Sequence, residues 1–461
     1  MAFAYRSPVA PAPDSIASMP GGRLRGPAPG EGRRLVLRGG RLVDPANGVD
    51  GEQDVALADG RVADVAASIE ARPGDRVLDV AGLLVVPGLI EVHVHLHDLF
   101  EVSTRPILEA VACGTTLAIS PGAGNTLMAP SLLGAEVDRG VPLHIGLLLG
   151  APALLGTSAT VDELIAYFRG ELDEDVALQK LTRNGITART GNLVVGIKDH
   201  MGHFIQTDER LDATCELASR AGMLLMSHCQ DPDHAERLVD IAGERGVHLA
   251  HVTAGGFGSH GDAVESLSRC IDLCRRPHVT GEFLTAALRP GLGNRDGVLI
   301  VEDAQQLAYE ALREGVVDVL TSDGQCDATM KGFGDTRENI PCLIELVDEG
   351  VLDLSRSIAT MTANPARLLA QHTGQSWWTT EVGHLGVGAH ADATVIDRLD
   401  KAATYTIVAG EIAAFEGRAL RRADGLGGWV TRLGILERTG VGDLTLWAEA
   451  AAATTEPVGG D

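Results

Sequence analysis

The central part of the chain alternates short apolar runs with longer stretches in which apolar and polar residues repeat at a helical period. Eight runs occur between residues 88 and 323: GLIEVHVH, GTTLAIS, LHIGLLLG, NLVVGIK, MLLMSHC, VHLAHVT, HVTGEFL and VVDVLTSD. Continuously apolar runs are typical of strands that are buried on both faces, as in a parallel sheet. The stretches between them include DERLDATCELASRAG and PDHAERLVDIAGERG. Eight strands with helical connections predict a parallel (β/α)8 barrel rather than an open doubly wound sheet.

The two ends of the chain have a different pattern, in which Gly and Pro separate short runs of period 2. This pattern occurs in RLVLRGGRLVDPANG and returns in GAHADATVIDRLDKAATYTIVAGEIAAFEG. Such runs are typical of a small β-domain. We predict that residues 34–86 and 377–422 form this domain together and that residues 87–376 form the barrel. Residues 1–33, which are rich in Pro, Gly, Ala and Ser, are interpreted as a mobile leader, and residues 423–461 as a C-terminal tail.

The composition excludes several classes of protein. A formal net charge of -25 argues against nucleic acid or an anionic membrane as a partner, because both are bound by clustered Lys and Arg. The longest apolar runs are shorter than the roughly 18 to 20 residues that a membrane-spanning helix needs. The seven cysteines are scattered and form no C-x-x-C pair, which is typical of reduced thiols in a cytoplasm. We therefore expect a soluble cytoplasmic protein.

Histidines occupy three alternate positions in VVPGLIEVHVHLHD, residues 85–98. If this segment is a strand, His93, His95 and His97 share one face. A single histidine on such a face is more often a structural residue than a ligand. A pair at i and i+2 can point at one metal ion, because neutral imidazole is a common ligand of zinc-like cations.

Polar residues also close several of the other predicted strands. In a barrel of this type the chemistry lies at the carboxyl ends of the strands, so these residues are the ones expected to meet. Taken alone, His251 would be interpreted as structural and Lys198 as a loop lysine. Together, six candidates at five strand ends predict a metal centre: His93, His95, Lys198, His228, His251 and Asp323.

This set of side chains suits two divalent ions. Imidazoles and a carboxylate can hold both ions, and an anionic group between them would offset their charge. Nearby cations disfavour the charged form of a lysine, so neutral Lys198 could add carbon dioxide and offer a carbamate oxygen to each ion. A water between the ions would become a bridging hydroxide, and Asp323 could take its proton and pass it to a leaving amine. The chemistry predicted is that of a hydrolase.

The same residues resemble the amidohydrolase superfamily, in particular the binuclear branch of hydantoinases, dihydropyrimidinases, dihydroorotases and isoaspartyl dipeptidases. PGLIEVHVH is similar to the PGLIDxHxH opening of that family, with Glu91 in place of Asp, and further similarity lies in GTT, NPAR and GVGAHADATVID. The resemblance implies a distorted (β/α)8 TIM barrel with a small β-sandwich domain built from both chain ends. It also implies roles for the candidates: His93, His95 and Asp323 on one metal, His228 and His251 on the other, and carboxylated Lys198 as the bridge.

The resemblance also implies two divalent ions, zinc or else manganese, and a small-molecule amide as substrate. Similar ligand sets occur in phosphotriesterase-like enzymes, but those barrels generally lack the second β-domain. The β-rich ends therefore favour cleavage of a C–N bond in a cyclic, N-acyl or aryl amide. We also expect a homo-oligomer, either a dimer or a tetramer.

The chain departs from the family at the positions that bind substrate. Dihydroorotases have an Arg two residues beyond the second histidine of the motif, and here that residue is His97. Hydantoinases and isoaspartyl dipeptidases have a Tyr after the third strand, and LHIGLLLGAPALLG contains none. We therefore predict that the substrate is not dihydroorotate. His200 or His203 is predicted to supply the missing oxyanion donor, with His97 as a further candidate.

Two other functions remain open. A heterocycle deaminase with a single metal ion would not need Lys198, so the lysine counts against it. A catalytically inactive dihydropyrimidinase-like protein would have lost ligands, and this chain keeps all six.

Overall fold

The computed structural model describes most of the chain, and His200, His203 and the predicted leader lie outside the described residues. The described residues are 34–97, 105–122, 124–199, 205–294, 297–324, 333–420, 425–436 and 441. Within them, no helix is both long enough and apolar enough to cross a membrane.

The strands and helices of the described residues are numbered here in chain order. The strands are β1 (Leu35–Arg38), β2 (Arg41–Asp44), β3 (Val49–Glu52), β4 (Asp54–Ala58), β5 (Arg61–Ala66), β6 (Arg76–Asp79), β7 (Leu84–Pro87), β8 (Leu89–Glu91), β9 (Thr115–Ser120), β10 (His144–Gly150), β11 (Gly196–Lys198), β12 (Leu224–His228), β13 (Val247–Ala250), β14 (Val279–Leu284), β15 (Val319–Thr321), β16 (Ala393–Asp397), β17 (Ala402–Val408), β18 (Glu411–Phe415), β19 (Arg418–Ala419), β20 (Trp429–Thr431) and β21 (Gly434–Leu436). The helices are α1 (Arg105–Ala112), α2 (Ala129–Arg139), α3 (Ala151–Leu154), α4 (Val161–Arg169), α5 (Glu174–Lys180), α6 (Gly185–Thr190), α7 (Asp208–Ala221), α8 (Pro232–Ala242), α9 (Ala263–Cys274), α10 (Thr285–Leu288), α11 (Glu302–Glu314), α12 (Asn339–Asp348), α13 (Leu354–Ala359), α14 (Ala363–Thr373) and α15 (Trp377–Glu381).

Strands β8 to β15 form the barrel. Each pairs in parallel with the next along the chain, and each lies within one of the eight apolar runs. The first and last runs meet at a parallel bridge between Val94 and Gly324. There the amide of His95 donates to the carbonyl of Gly324 at 3.0 Å, and the amide of Asp323 donates to the carbonyl of His93 at 3.1 Å. These contacts bring the two ends of the sheet together, and the predicted barrel is confirmed.

One detail of the first run differs from the prediction. Strand β8 ends at Glu91, so the three histidines follow the strand instead of sharing one of its faces. The chain bends at residues 92 and 93, and Val94 then pairs with Gly324, which follows the last strand of the barrel. The interpretation of His93, His95 and His97 as one face of a strand is therefore wrong.

Helix ends follow local sequence signals. Thr160 and Glu163 form a capping box at the start of α4, and the side chain of Asp262 accepts from two backbone amides at the start of α9. Helices α4, α7 and α11 each end at a glycine in the left-handed region, which has no Cβ to make that conformation costly. These signals set the lengths of the helical connections and hence where each barrel strand begins.

The β-sandwich is built from both ends of the chain, as predicted. One sheet has the strand order β5-β4-β1-β6, and the other has the order β19-β18-β17-β16-β7-β2-β3. Strand β16 pairs antiparallel with β7, with Ala393 opposite Pro87 and Val395 opposite Val85. Apolar side chains of both sheets form a separate core that includes Leu35, Val55 and Ile407. The predicted domain boundaries remain predictions.

Residues 425–436, inside the segment that the sequence pattern assigned to a C-terminal tail, form a hairpin of β20 and β21. Strand β20 is parallel to β10, with Ile145 opposite Trp429. The side chain of Trp429 is fully buried. A Cβ on Gly427 would lie 1.8 Å from the carbonyl oxygen of Leu143, so only glycine fits this approach. This part of the predicted tail belongs to the barrel sheet, and its three-residue strands are too short to show a periodicity in the sequence.

We expect the substitution Trp429→Ala to lower the free energy of unfolding by about 3–5 kcal/mol, because it leaves a cavity where β20 packs on the barrel. Denaturant unfolding of the full chain measures the change. The matched control is Leu399→Ala, whose side chain is 93% exposed and which should change stability by less than about 0.5 kcal/mol. Equal stability of the two variants would mean that the hairpin does not support the barrel.

Candidate metal centre

The six predicted residues lie together at the carboxyl ends of the barrel strands. Their positions follow from the strand bounds: the histidines of the HxH motif follow β8, one residue ends each of β11 and β12, and one residue follows each of β13 and β15 closely. Five of the side chains are buried and that of His228 is half-buried. The residues are His93, His95, Lys198, His228, His251 and Asp323.

Three of them converge around one carboxylate oxygen. Asp323 Oδ1 lies 3.2 Å from Nε2 of His93 and 3.1 Å from Nε2 of His95. One ligand atom from each of the three residues lies within 4.8 Å of the other two. Asp323 has a φ of +47°, and its Oδ2 accepts a hydrogen bond from the amide of Phe333 at 3.1 Å. A strained backbone held by tertiary contacts is typical of functional sites.

Two other histidines face each other on the same side of the barrel. Nδ1 of His228 and Nε2 of His251 are 2.6 Å apart. Two nitrogen lone pairs repel at this distance, so the pair needs a proton or a cation between its nitrogens. The ring of His251 is 4.8 Å from that of His228 and 5.5 Å from that of His93, and the rings of His93 and His95 are 5.6 Å apart, measured between centroids. The four imidazoles therefore form one continuous cluster.

Lys198 ends β11, next to β12, which ends at His228. Its side chain is 3% exposed, and within the part of the chain that the structure describes its Nζ has no hydrogen-bond partner. Burial lowers the pKa of Lys198, while the carboxylates of Glu282 and Asp323 oppose that shift. Burial is the main cause of the lowered pKa values of His93 and His251, and the charge of Lys198 lowers both of them further. A buried amine without a hydrogen-bond partner among the described residues calls for a further partner.

The protonation states suit metal binding. Burial lowers the pKa of His93, and it lowers the pKa of His251 to about 3, so both rings are neutral at pH 7. Burial alone would raise the pKa of Asp323, but the neighbouring His93 and His95 outweigh it and hold that pKa below its usual range. Neutral imidazoles, an ionised carboxylate and an unpaired amine are a donor set that fits zinc-like divalent ions.

Glu282 is a buried carboxylate beside the candidate metal centre that the sequence pattern did not single out. Its carboxylate is fully buried, and Oε1 lies 2.5 Å from Nδ1 of His93. Burial alone would raise the pKa of Glu282, but His93 and His248 lower it below its usual range. The available signal was one carboxylate inside the apolar run HVTGEFL, since burying a charge is costly unless it is paired.

Glu91, which replaces the Asp expected in the motif, lies beneath the site. Its Oε1 accepts from the amide of Ser322 at 2.7 Å and from the hydroxyl of the same residue, and its Oε2 accepts from Nδ2 of Asn339 at 3.0 Å. Burial raises the pKa of Glu91 to about 7. Glu91 thus holds the segment that leads into Asp323.

The other candidates have different surroundings. His97 is buried, and its Nε2 lies 3.4 Å from Oε2 of Glu136. His200 and His203 cannot be compared with the prediction because they lie outside the described residues. Phe333 stacks on Phe257 with ring centroids 6.1 Å apart, and its ring also contacts that of His251. The two phenylalanines therefore form an aromatic surface beside the histidine cluster.

A second group of potential ligands, His144, His390 and Asp392, lies at the opposite end of the barrel strands. Nδ1 of His144 accepts a hydrogen bond from the amide of Gly428 at 3.0 Å. Nδ1 therefore carries no proton, and the proton lies on Nε2, which is 3.2 Å from Asp392. Because a proton occupies the nitrogen that a metal would need, this group is a hydrogen-bonded contact between the barrel and the sandwich.

Comparisons with known proteins agree with this geometry. Among curated relatives, the dihydroorotase of Geobacter metallireducens is 25% identical over 82% of this chain and 93% of its own length, and that of Anaeromyxobacter dehalogenans is 26% identical over 84% and 99%. Among solved structures, the fold is similar to a dihydropyrimidinase from Brevibacillus agri (TM-score 0.63, 16% identity, 86% of this chain and 98% of that chain). It is also similar to a β-aspartyl dipeptidase from Fervidobacterium islandicum (TM-score 0.59, 15% identity, 87% and 99%). The amidohydrolase family model matches residues 84–419, and the chain belongs to the amidohydrolase family.

Proposed function

We propose that the chain is a metal-dependent hydrolase that cleaves the C–N bond of an amide, with cyclic amides as the favoured class. One observation carries the proposal: four imidazoles, the buried amine of Lys198 and the carboxylate of Asp323 meet at the carboxyl end of the barrel. Support for the cyclic class comes from the relatives, which are described as dihydroorotases, dihydropyrimidinase and hydantoinases.

We assign the residues to two divalent ions, zinc or else manganese. His93, His95 and Asp323 would hold one ion, and His228 and His251 would hold the other. When bound, such ions supply a water of lowered pKa and polarise the carbonyl group of the substrate. His93 and His95 approach Oδ1 of Asp323, whereas ring nitrogens of His228 and His251 approach each other to 2.6 Å, and these contacts support the division.

Lys198 would bridge the two groups as a carbamate. The neutral amine adds to carbon dioxide and releases a proton, which leaves an anion with two oxygens. Burial already lowers the pKa of Lys198, and so favours the neutral amine that this reaction requires. The absence of a hydrogen-bond partner for its Nζ among the described residues leaves that atom available to react.

Asp323 would move the proton during hydrolysis. Its Oδ1 faces His93 and His95, and its Oδ2 accepts a hydrogen bond from the amide of Phe333. A carboxylate oxygen has a second lone pair, so Oδ2 can take a proton from the attacking water and return it to the leaving nitrogen. The low pKa of Asp323 keeps the group ionised before the substrate arrives.

His200 or His203 remains our proposed donor to the carbonyl oxygen as negative charge develops on it. The two residues follow Lys198 closely in the sequence, and no tyrosine occurs in LHIGLLLGAPALLG. An oxyanion donor contributes about 10²–10³-fold in kcat. Unchanged turnover after alanine replaces both histidines would contradict this role.

The substrate is proposed to lack the carboxylate of dihydroorotate, although curated relatives are dihydroorotases. His97 stands where the resemblance places a carboxylate-binding arginine. Its Nε2 lies 3.4 Å from the carboxylate of Glu136, so a negative charge already faces this ring. A second carboxylate would be repelled there.

A substrate panel tests the proposed function. We expect the metal-loaded protein to open hydantoins or dihydropyrimidines without releasing ammonia. It should turn over dihydrouracil at least about tenfold faster than dihydroorotate, because an unfavourable charge contact of about 1.4 kcal/mol in the transition state lowers a rate tenfold. Ring opening is followed by absorbance and ammonia by a coupled assay. Release of ammonia from a heterocycle would support the deaminase alternative, and a preference for dihydroorotate would contradict the role given to His97.

A further inference from the structure

Glu282 makes contacts with both halves of the candidate metal centre. Its Oε1 lies 2.5 Å from Nδ1 of His93 and 3.2 Å from the backbone nitrogen of His251. Its Oε2 lies 3.0 Å from Nε2 of His248. The carboxylate is fully buried on β14, so these three N–H groups replace the water that it would otherwise bind.

The contact with His93 selects one tautomer of that ring. A carboxylate accepts hydrogen bonds, so the proton of neutral His93 lies on Nδ1. Nε2 then presents its lone pair toward Asp323, whose Oδ1 is 3.2 Å away. A partner of this kind fixes the orientation of a ligating ring and raises its basicity.

The contact with His251 acts on the backbone. His251 has a φ of +41°, a left-handed conformation that costs energy in a residue other than glycine. The hydrogen bond from its amide to Glu282 helps to retain this conformation, which turns the ring toward His228. One oxygen atom of Glu282 therefore serves a residue of each histidine group.

The second oxygen is held by a chain of hydrogen bonds. Nδ1 of His248 lies 2.9 Å from Oγ1 of Thr280, and that hydroxyl lies 2.7 Å from Nε2 of His372 on α14. With Oε2 engaged by His248, the carboxylate cannot rotate without breaking a buried hydrogen bond. The chain thus keeps Oε1 directed at the metal centre.

We propose that Glu282 is a positioning residue that couples the two metal positions, by orienting the ring of His93 and the backbone of His251 with the same oxygen. This inference rests on the proposed function, because it takes both histidine groups to hold ions. It adds that Glu282, which is not itself a ligand, helps the protein to retain both ions.

The test compares Glu282→Gln and Glu282→Ala with wild type, and uses Asp392→Asn as the matched control. Asp392 is also a buried carboxylate that pairs with a histidine, but it lies at the opposite end of the barrel strands. The affinity of each ion is measured by competition with a chelator, and the geometry by the absorption spectrum of the Co²⁺-loaded protein. Thermal unfolding checks the fold of each variant, and the nearly isosteric Gln variant serves if the Ala variant does not fold.

We expect Glu282→Ala to weaken the binding of both ions by about 10–100-fold and to alter the Co²⁺ spectrum. Glu282→Gln should weaken both ions less, because its amide oxygen still accepts from His93, and Asp392→Asn should bind metal like wild type. Weakening of only one ion, or an effect no larger than that of Asp392→Asn, would overturn the coupling. If wild type itself binds no metal, the proposed function fails, and the inference fails with it.

Discussion

Asp323→Asn lowers kcat for the amide substrate by about 10²–10⁴-fold at saturating metal, the range expected when a general base is removed. Asparagine keeps the size of the side chain and an oxygen that can face His93 and His95, but the amide cannot take a proton at neutral pH. The loss should therefore appear in kcat more than in metal content. Steady-state kinetics at several metal concentrations separates the two effects.

The control for this prediction is Asp392→Asn, which removes the charge of a buried carboxylate that also faces a histidine. This variant should keep wild-type turnover once its fold has been verified. If Asp323→Asn were as active as Asp392→Asn, Asp323 would not be the group that moves the proton, and the mechanism proposed for its Oδ2 would be wrong.

Lys198→Ala removes the proposed bridge. We expect it to lower activity by more than about 10²-fold, because even the loss of a residue that only hydrogen-bonds a metal ligand lowers activity by about 10–100-fold. The vacated space and the unpaired positive charge of two ions should let a short carboxylic acid, such as acetate or propionate, restore part of the activity. The measurement is turnover as a function of added acid.

Lys198→Arg is the matched variant for the rescue experiment. The guanidinium keeps the positive charge, fills the space and is not carboxylated, so added acid should not restore its activity. Equal behaviour of the Ala and Arg variants would contradict a bridging role for Lys198. Retention of full activity by Lys198→Ala would favour the deaminase alternative, which does not need the lysine.

The sequence predicted the fold and the site best where the apolar runs and the candidate ligands belong to the same strands. All eight apolar runs contain a barrel strand, because continuous burial on both faces leaves a strong signal. Lys198 and Asp323 could be placed together because the carboxyl ends of parallel strands meet at one end of a barrel. Here local sequence and overall fold point to the same site.

The missed features depend on contacts between residues far apart in the chain. Glu282 lies 189 positions from His93, and nothing in its own run identifies that partner. The bend after Glu91 leads into the bridge between Val94 and Gly324, and the hairpin that contains Trp429 pairs with β10. Periodicity reports which positions are buried but does not report which buried groups face each other.

The number of metal ions per wild-type chain decides whether the centre is binuclear. It is measured by inductively coupled plasma mass spectrometry on protein produced with zinc or manganese. Close to two ions per chain are expected, because His93 and His95 gather around Asp323 while His228 and His251 form a second pair. One ion per chain would contradict the binuclear centre and favour the deaminase alternative. No bound metal would contradict metal-dependent hydrolysis and favour the catalytically inactive relative.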